Sequence, residues 1–345
     1  MSKKAPAGVS PCSTMDMLQF DMFPKPPAQP SPRAGDAPPL LASMASSERH
    51  ALQVDEAGEV LVCGGSALQD EGETFVAHLG LGVEWGAPIA APTPLAANPE
   101  LGQAHAVAAG SLHSLILSQT GQVWSCGAGW EGPLGHGNEA SLCVPTRIPA
   151  LADVPISMIA AGRAHSLAIS ADGALYSWGW GKSGQLGHGD RASVHVPRRV
   201  EAIAPPLVAL QVVAGDAHTV VLCGTGHVYT FGQALHGQCG HGACGCEGVA
   251  VPDQLTPRRV DALKHTRVVR VGAAADMTTA VTSSGGTFSW GHLPGCTGCV
   301  PLPTPAPAAG RAPLPRIASA GAVNDGCAVA SHSPWERASC LRSAA

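Results

Sequence analysis

Charge, aromatic rings and long apolar runs are all scarce in this chain. Charged residues make up only 13% of it and aromatics 4%. No run of five lysines or arginines occurs, and the net charge is -5. The sequence-independent attraction to phosphates on which nucleic-acid binding rests is therefore not built in. Nowhere do about eighteen apolar residues run uninterrupted, so no membrane-spanning helix is expected. Residues 1–30 hold Lys3, Lys4 and Lys25 but no apolar stretch of signal-peptide length. Phosphate loops, nucleophile elbows and catalytic-triad spacings are missing as well, so nothing calls for a cofactor and an enzyme is not the expectation. These absences leave a soluble cytoplasmic or nuclear chain whose expected partner is another protein rather than a membrane or a nucleic acid.

What the chain does have is glycine, proline and apolar side chains: 42 Gly, 30 Pro and 45% hydrophobic residues. Such a mixture buries a core but turns often, which favours short strands over long helices. Pro6, Pro11, Pro24, Pro26, Pro27, Pro30, Pro32, Pro38 and Pro39 each lack a backbone donor, so residues 1–43 are expected to form a flexible leader. Residues 331–345 are short and polar and are expected to form a loose tail. The twelve cysteines fit a reducing compartment, because several occupy strand columns otherwise filled by aromatics.

Between those ends the sequence repeats. His50, His113, His165 and His218 mark the phase and Met277 takes the fifth place. The surrounding lines echo one another: Ala109-Gly110-Ser111-Leu112-His113-Ser114, Ala161-Gly162-Arg163-Ala164-His165-Ser166 and Ala214-Gly215-Asp216-Ala217-His218-Thr219. After each marker come paired glycines: Gly58 and Gly64, Gly121 and Gly127, Gly173 and Gly179, Gly226 and Gly232, Gly285 and Gly291. Asp172-Gly173 between Ser166-Leu167-Ala168-Ile169 and Ala174-Leu175-Tyr176-Ser177-Trp178 is a hairpin signal, since tight primed turns need positive φ.

Two columns of the second hairpin strand read Leu61 and Cys63, Trp124 and Cys126, Tyr176 and Trp178, Tyr229 and Phe231, Phe288 and Trp290. Strand period puts both columns on one face, and half of all the aromatics fall in them, so they are expected to pack sheet against sheet. Glycine-rich corners follow at Pro133-Leu134-Gly135-His136-Gly137, Gln185-Leu186-Gly187-His188-Gly189, Gln238-Cys239-Gly240-His241-Gly242 and, more loosely, His78-Leu79-Gly80-Leu81-Gly82. A fourth strand is expected to start at Pro145, Pro197, Pro257 and Pro315. The whole predicts an all-β protein, a β-propeller of four-stranded antiparallel blades over residues 44–330, with five full repeats and a remnant at 320–325.

The marker pattern, the hairpin ending Tyr176-Ser177-Trp178-Gly179 and the run Gly184-Gln185-Leu186-Gly187 resemble the repeat of the regulator-of-chromosome-condensation family. That family's norm is seven blades. The resemblance implies a protein-binding propeller, and as an alternative a guanine-nucleotide exchange factor for a small GTPase, since one member acts on Ran through acidic and histidine side chains of one face. The matching partner-binding positions here are Asp216 and Asp276, with His218 alongside.

Two further readings concern histidine and cysteine. One histidine per blade at constant phase predicts a packing element, each ring bonding backbone within its own blade. His236, Cys239, His241, Cys244 and Cys246, with Cys296 and Cys299, are the candidate metal ligands. The paired knuckle spacing of a structural zinc site is missing, so no metal is expected.

Overall fold

Among the described residues, five four-stranded antiparallel sheets follow one another in sequence. The computed structural model describes residues 43–65, 69–70, 73–95, 98–245, 250–292 and 299–305. The leader up to residue 42, the remnant at 320–325 and the tail at 331–345 lie outside them.

The second sheet shows the plan: Ala104–Ala109, His113–Ser118, Val123–Gly127 and Leu142–Arg147, hydrogen-bonded in that order. The third sheet is built from Ile156–Ala161, His165–Ser170, Leu175–Gly179 and Val194–Arg199, and the fourth from Ala209–Ala214, His218–Cys223, Val228–Gly232 and Gln254–Arg259. The first sheet uses Met44–Ser46, His50–Val54, Val60–Gly64 and Ile89–Pro94, and the fifth Val268–Ala274, Met277–Thr282, Thr287–His292 and Cys299–Pro305. The first strand of each sheet touches the first strand of the next, so first strands run inside and fourth strands outside. This is the radial arrangement of propeller blades.

Each apolar cluster draws on consecutive sheets. Ile116 and Trp124 pack with Leu52 and Val62 of the preceding blade, and Trp178 packs with Leu115 and Leu117. Trp178, Phe231 and Trp290 are completely buried, as the aromatic columns predict. The two indole nitrogens also bond across blades: Trp178 Nε1 donates to the Pro133 carbonyl at 2.8 Å and Trp290 Nε1 to the Gln238 carbonyl at 2.9 Å.

One expectation changes. Pro145, Pro197 and Pro257 do not start the fourth strands but lie inside them, where the pairing register shifts between Ser125/Gly127, Ser177/Gly179 and Thr230/Gly232. A bulge on an outer strand asks no donor of these positions, so the missing N–H costs nothing. The first corner, a looser match in sequence, is flanked by a small sheet of Gln69–Asp70, Glu73–Phe75 and Trp85–Gly86 that the repeats do not predict.

Candidate functional site

The start of every second strand pairs with the end of every third: His113 with Gly127, His165 with Gly179, His218 with Gly232 and Met277 with Gly291. Marker loops and glycine corners therefore crowd onto one end of the blades, with the hairpin turns at the other. On that corner face the marker loops are stitched together across the blades. Ser111 N donates to Arg163 O at 3.1 Å, Arg163 N to Asp216 O at 3.2 Å and Asp216 N to Ala275 O at 2.9 Å.

Beneath the loops runs a series of buried bridges. His50 Nε2 meets Ser114 Oγ at 2.8 Å, His113 meets Ser166 at 3.0 Å, His165 meets Thr219 at 3.2 Å and His218 meets Thr278 at 2.8 Å. The sequence-based expectation of a bond to backbone within the same blade is thus corrected: each ring reaches a hydroxyl of the next blade. Each hydroxyl also donates to a corner carbonyl, Ser114 to His78, Ser166 to Pro133, Thr219 to Gln185 and Thr278 to Gln238, at 2.6 to 2.9 Å. A hydroxyl has one proton, and the carbonyl takes it, so the histidine Nε2 must carry the hydrogen of the second bond.

A parallel set works inside the second, third and fourth blades. His136, His188 and His241 place Nε2 at 2.9 to 3.0 Å from the hydroxyls of Ser125, Ser177 and Thr230, which in turn donate to the carbonyls of Leu134, Leu186 and Cys239. Burial holds all these rings neutral. It pulls His113 and His218 down to about 4, and His165 to about 3 with help from neighbouring histidines.

Of the residues singled out for partner contact, His218 is therefore fully buried and spent on the fold. Asp216 and Asp276 do reach the corner face, in the marker loops of adjacent blades. Asp276 is engaged there: Gln238 Nε2 donates to its Oδ1 at 3.0 Å, and His236 Nε2 stands 3.6 Å from its Oδ2.

The cysteine and histidine candidates do not converge as a set. Cys239 is core: burial pushes its thiol up to about 12, and its Sγ points at the carbonyls of Gly232 and Gln233. His241 is held by Thr230. Cys244 is half-buried and free, while Cys246 and Cys296 lie outside the described residues. Cys63, Cys126, Cys143, Cys223 and Cys239 are free thiols, but Cys299 is disulfide-bonded, against the expectation of uniformly reduced cysteines. The structure instead gathers His236 and Cys299 with His292, which sequence reading missed; it ends the fifth blade's third strand, one residue past the glycine column.

The corner face also exposes large apolar groups. Trp130 and Leu235, each third after a strand-ending glycine, are 48% and 42% exposed, and Lys182 holds the same position between them. Trp130 leans on Phe75 with ring centroids 5.5 Å apart. No helix among the described residues is long and apolar enough to cross a membrane.

Comparison with known proteins gives the same architecture. The family model of the RCC1-like domain matches residues 43–299. The ultraviolet-B receptor UVR8 of Arabidopsis thaliana is 36% identical over 54% of this chain and 40% of its own length. The human E3 ubiquitin-protein ligase HERC2 is also 36% identical over 54% of this chain, but over only 4% of its own length. Saccharomyces cerevisiae Prp20p, described as binding Gsp1p and histones, superposes with a TM-score of 0.62 at 22% identity, covering 76% of this chain and 62% of that one. The chain thus matches well under half the length of either of these sequence relatives.

Proposed function

The chain belongs to the RCC1-like domain family, and from that premise we propose that it is a protein-binding propeller whose corner face is the docking surface. The observation that carries this reading is the division of labour on that face. Its marker histidines His113, His165 and His218 are buried, neutral and bonded into the fold, whereas Trp130 and Leu235 stand exposed at one repeat position. Large rings and leucines projecting from a rigid frame are what protein partners bury, and variable loops on a fixed scaffold suit recognition. Chemistry is a weaker fit, since the buried imidazoles cannot reach a substrate. The buried thiols support a cytoplasmic or nuclear setting.

A second reading is guanine-nucleotide exchange on a small GTPase. It is favoured by the placement of Asp216 and Asp276 in adjacent marker loops and by the fold shared with a Gsp1p-binding protein. One pair of measurements tests both. Crosslinking of the full chain to captured proteins, mapped residue by residue, should place contacts around Trp130 and Leu235; contacts confined to the hairpin-turn end, near Leu210, would overturn the docking surface. Release of labelled GDP from a panel of small GTPases should be unchanged by the chain. Acceleration that Asp216→Ala abolishes would replace the scaffold reading with the exchange reading.

A further inference from the structure

At the outer rim of the corner face, where the fourth and fifth blades meet, three side chains with metal-ligating chemistry converge. The ligand atoms of His236, His292 and Cys299 all lie within 4.8 Å of one another. His236 Nδ1 is 3.7 Å from Cys299 Sγ, and the two imidazole rings have centroids 5.8 Å apart at 58°. A tetrahedral zinc ion, with bonds of about 2.3 Å to sulfur and about 2.0–2.1 Å to nitrogen, separates a sulfur from a nitrogen ligand by about 3.6 Å. The observed spacing is the one such an ion would need.

The far side of His236 is prepared in the same sense. Its Nε2 faces Asp276 Oδ2 at 3.6 Å, and the other carboxylate oxygen accepts from Gln238 Nε2 at 3.0 Å. An imidazole that ligates through Nδ1 carries its proton on Nε2, and a carboxylate beyond it fixes that tautomer and the ring orientation. Gln238 is fully buried and its side-chain oxygen accepts from the His236 backbone N–H at 2.8 Å, so the carboxylate and the corner are held by one residue.

We propose that this cluster is a redox-gated site for a zinc-class divalent cation, ligated by His236 Nδ1, His292 and the Cys299 thiolate, with water in the fourth position. Cys299 is disulfide-bonded, and in that state its sulfur has no charge to offer a metal. A thiol reductant opens the site. The protein S–S bond breaks, two electrons and two protons pass to its sulfurs, and two reductant thiols are joined as a disulfide. The cation then displaces the proton from Cys299 Sγ. Two nitrogens and one soft sulfur select zinc over magnesium or calcium, which prefer oxygen. His292 is exposed, so the ion can enter from solvent without opening the blade.

The test uses the full chain, reduced with a phosphine or oxidised with diamide, and titrated with zinc against a chromophoric chelator. The reduced protein should bind one equivalent that the oxidised protein does not. Cobalt in place of zinc should give thiolate-to-metal charge-transfer absorption, lost in Cys299→Ser. His292→Ala should abolish this binding, and because its side chain is exposed the variant should keep the parent's melting temperature. Asp276→Asn should weaken binding about 10–100-fold without changing the stoichiometry. Equal binding in both redox states, or binding unaffected by His292→Ala, would overturn the proposal.

Discussion

Ser166 Oγ lies 3.0 Å from His113 Nε2 and 2.7 Å from the Pro133 carbonyl, so one hydroxyl of the third blade ties together a strand and a corner of the second. Ser166 is fully buried. Removing the hydroxyl strands the His113 Nε2 donor where water cannot replace it, while the Pro133 carbonyl keeps its bond from Trp178 Nε1; an unsatisfied buried donor costs about 1–3 kcal/mol. Ser166→Ala should lower the stability of the full chain by that amount in urea denaturation, and Ser166→Thr should restore most of it, since threonine fills the same place at Thr219 and Thr278. Equal stability of the alanine and parent chains would show that the bridge contributes nothing.

The same burial gives the chain an acid limit. His50, His78, His113, His165 and His218 all have folded pKa values below the ordinary 6.5, with desolvation the leading cause; His78 and His165 fall to about 3, His113 and His218 to about 4. Between those values and 6.5 the unfolded chain binds more protons than the folded one, so stability rises with pH. The contribution is complete above about pH 6.5 and is lost as pH falls towards 4. Unfolding free energy measured from pH 7.5 to 4.5 should fall steeply below 6.5, and His218→Gln should take up about one proton fewer in that window.

How far the fold could be read in the sequence follows from the range of the forces. Hairpins, aromatic columns and corners are set within a few residues, so period two and the paired glycines revealed them. The bridges were hidden because each joins residues in different repeats. Their signal was nevertheless present: a hydroxyl follows the marker in Ser114, Ser166, Thr219 and Thr278, and in Thr278 it persists even though Met277 has replaced the histidine before it. Marker and follower serve opposite faces of the blade, so Thr278 is kept for His218 whatever stands at 277. His292 escaped because nothing in its own strand suggests a ligand; only the approach of His236 from the preceding blade's corner and of Cys299 from the neighbouring strand does.

Corner glycines carry a different load. Gly187 has φ +74°, and a Cβ there would stand 2.8 Å from the Phe231 ring of the next blade. Gly285, in a hairpin turn, has φ +84° with nothing within 4 Å. Both substitutions to alanine incur backbone strain of about 1–2 kcal/mol, but only Gly187→Ala adds overpacking of about 1–3 kcal/mol. Melting temperatures of the two variants should therefore differ, Gly187→Ala being the lower. Equal losses would mean that the blade interface yields without cost.

Docking can be separated from stability by the exposure of the residues concerned. Trp130 and Leu235 are 48% and 42% exposed, so trimming them removes little from the core. The double change Trp130→Ser, Leu235→Ser should lower the melting temperature by no more than a few degrees, the Trp130–Phe75 ring contact being worth about 0.5–1.5 kcal/mol and the exposed leucine little. It should weaken any corner-face partner at least about tenfold, because buried tryptophans are the commonest anchors of protein interfaces. Leu210→Ser is the control, since Leu210 is 59% exposed but sits at the start of a first strand, at the hairpin-turn end. Isothermal titration of each variant with the captured partner decides the matter: a loss confined to Leu210→Ser would move the binding surface to the opposite end of the blades.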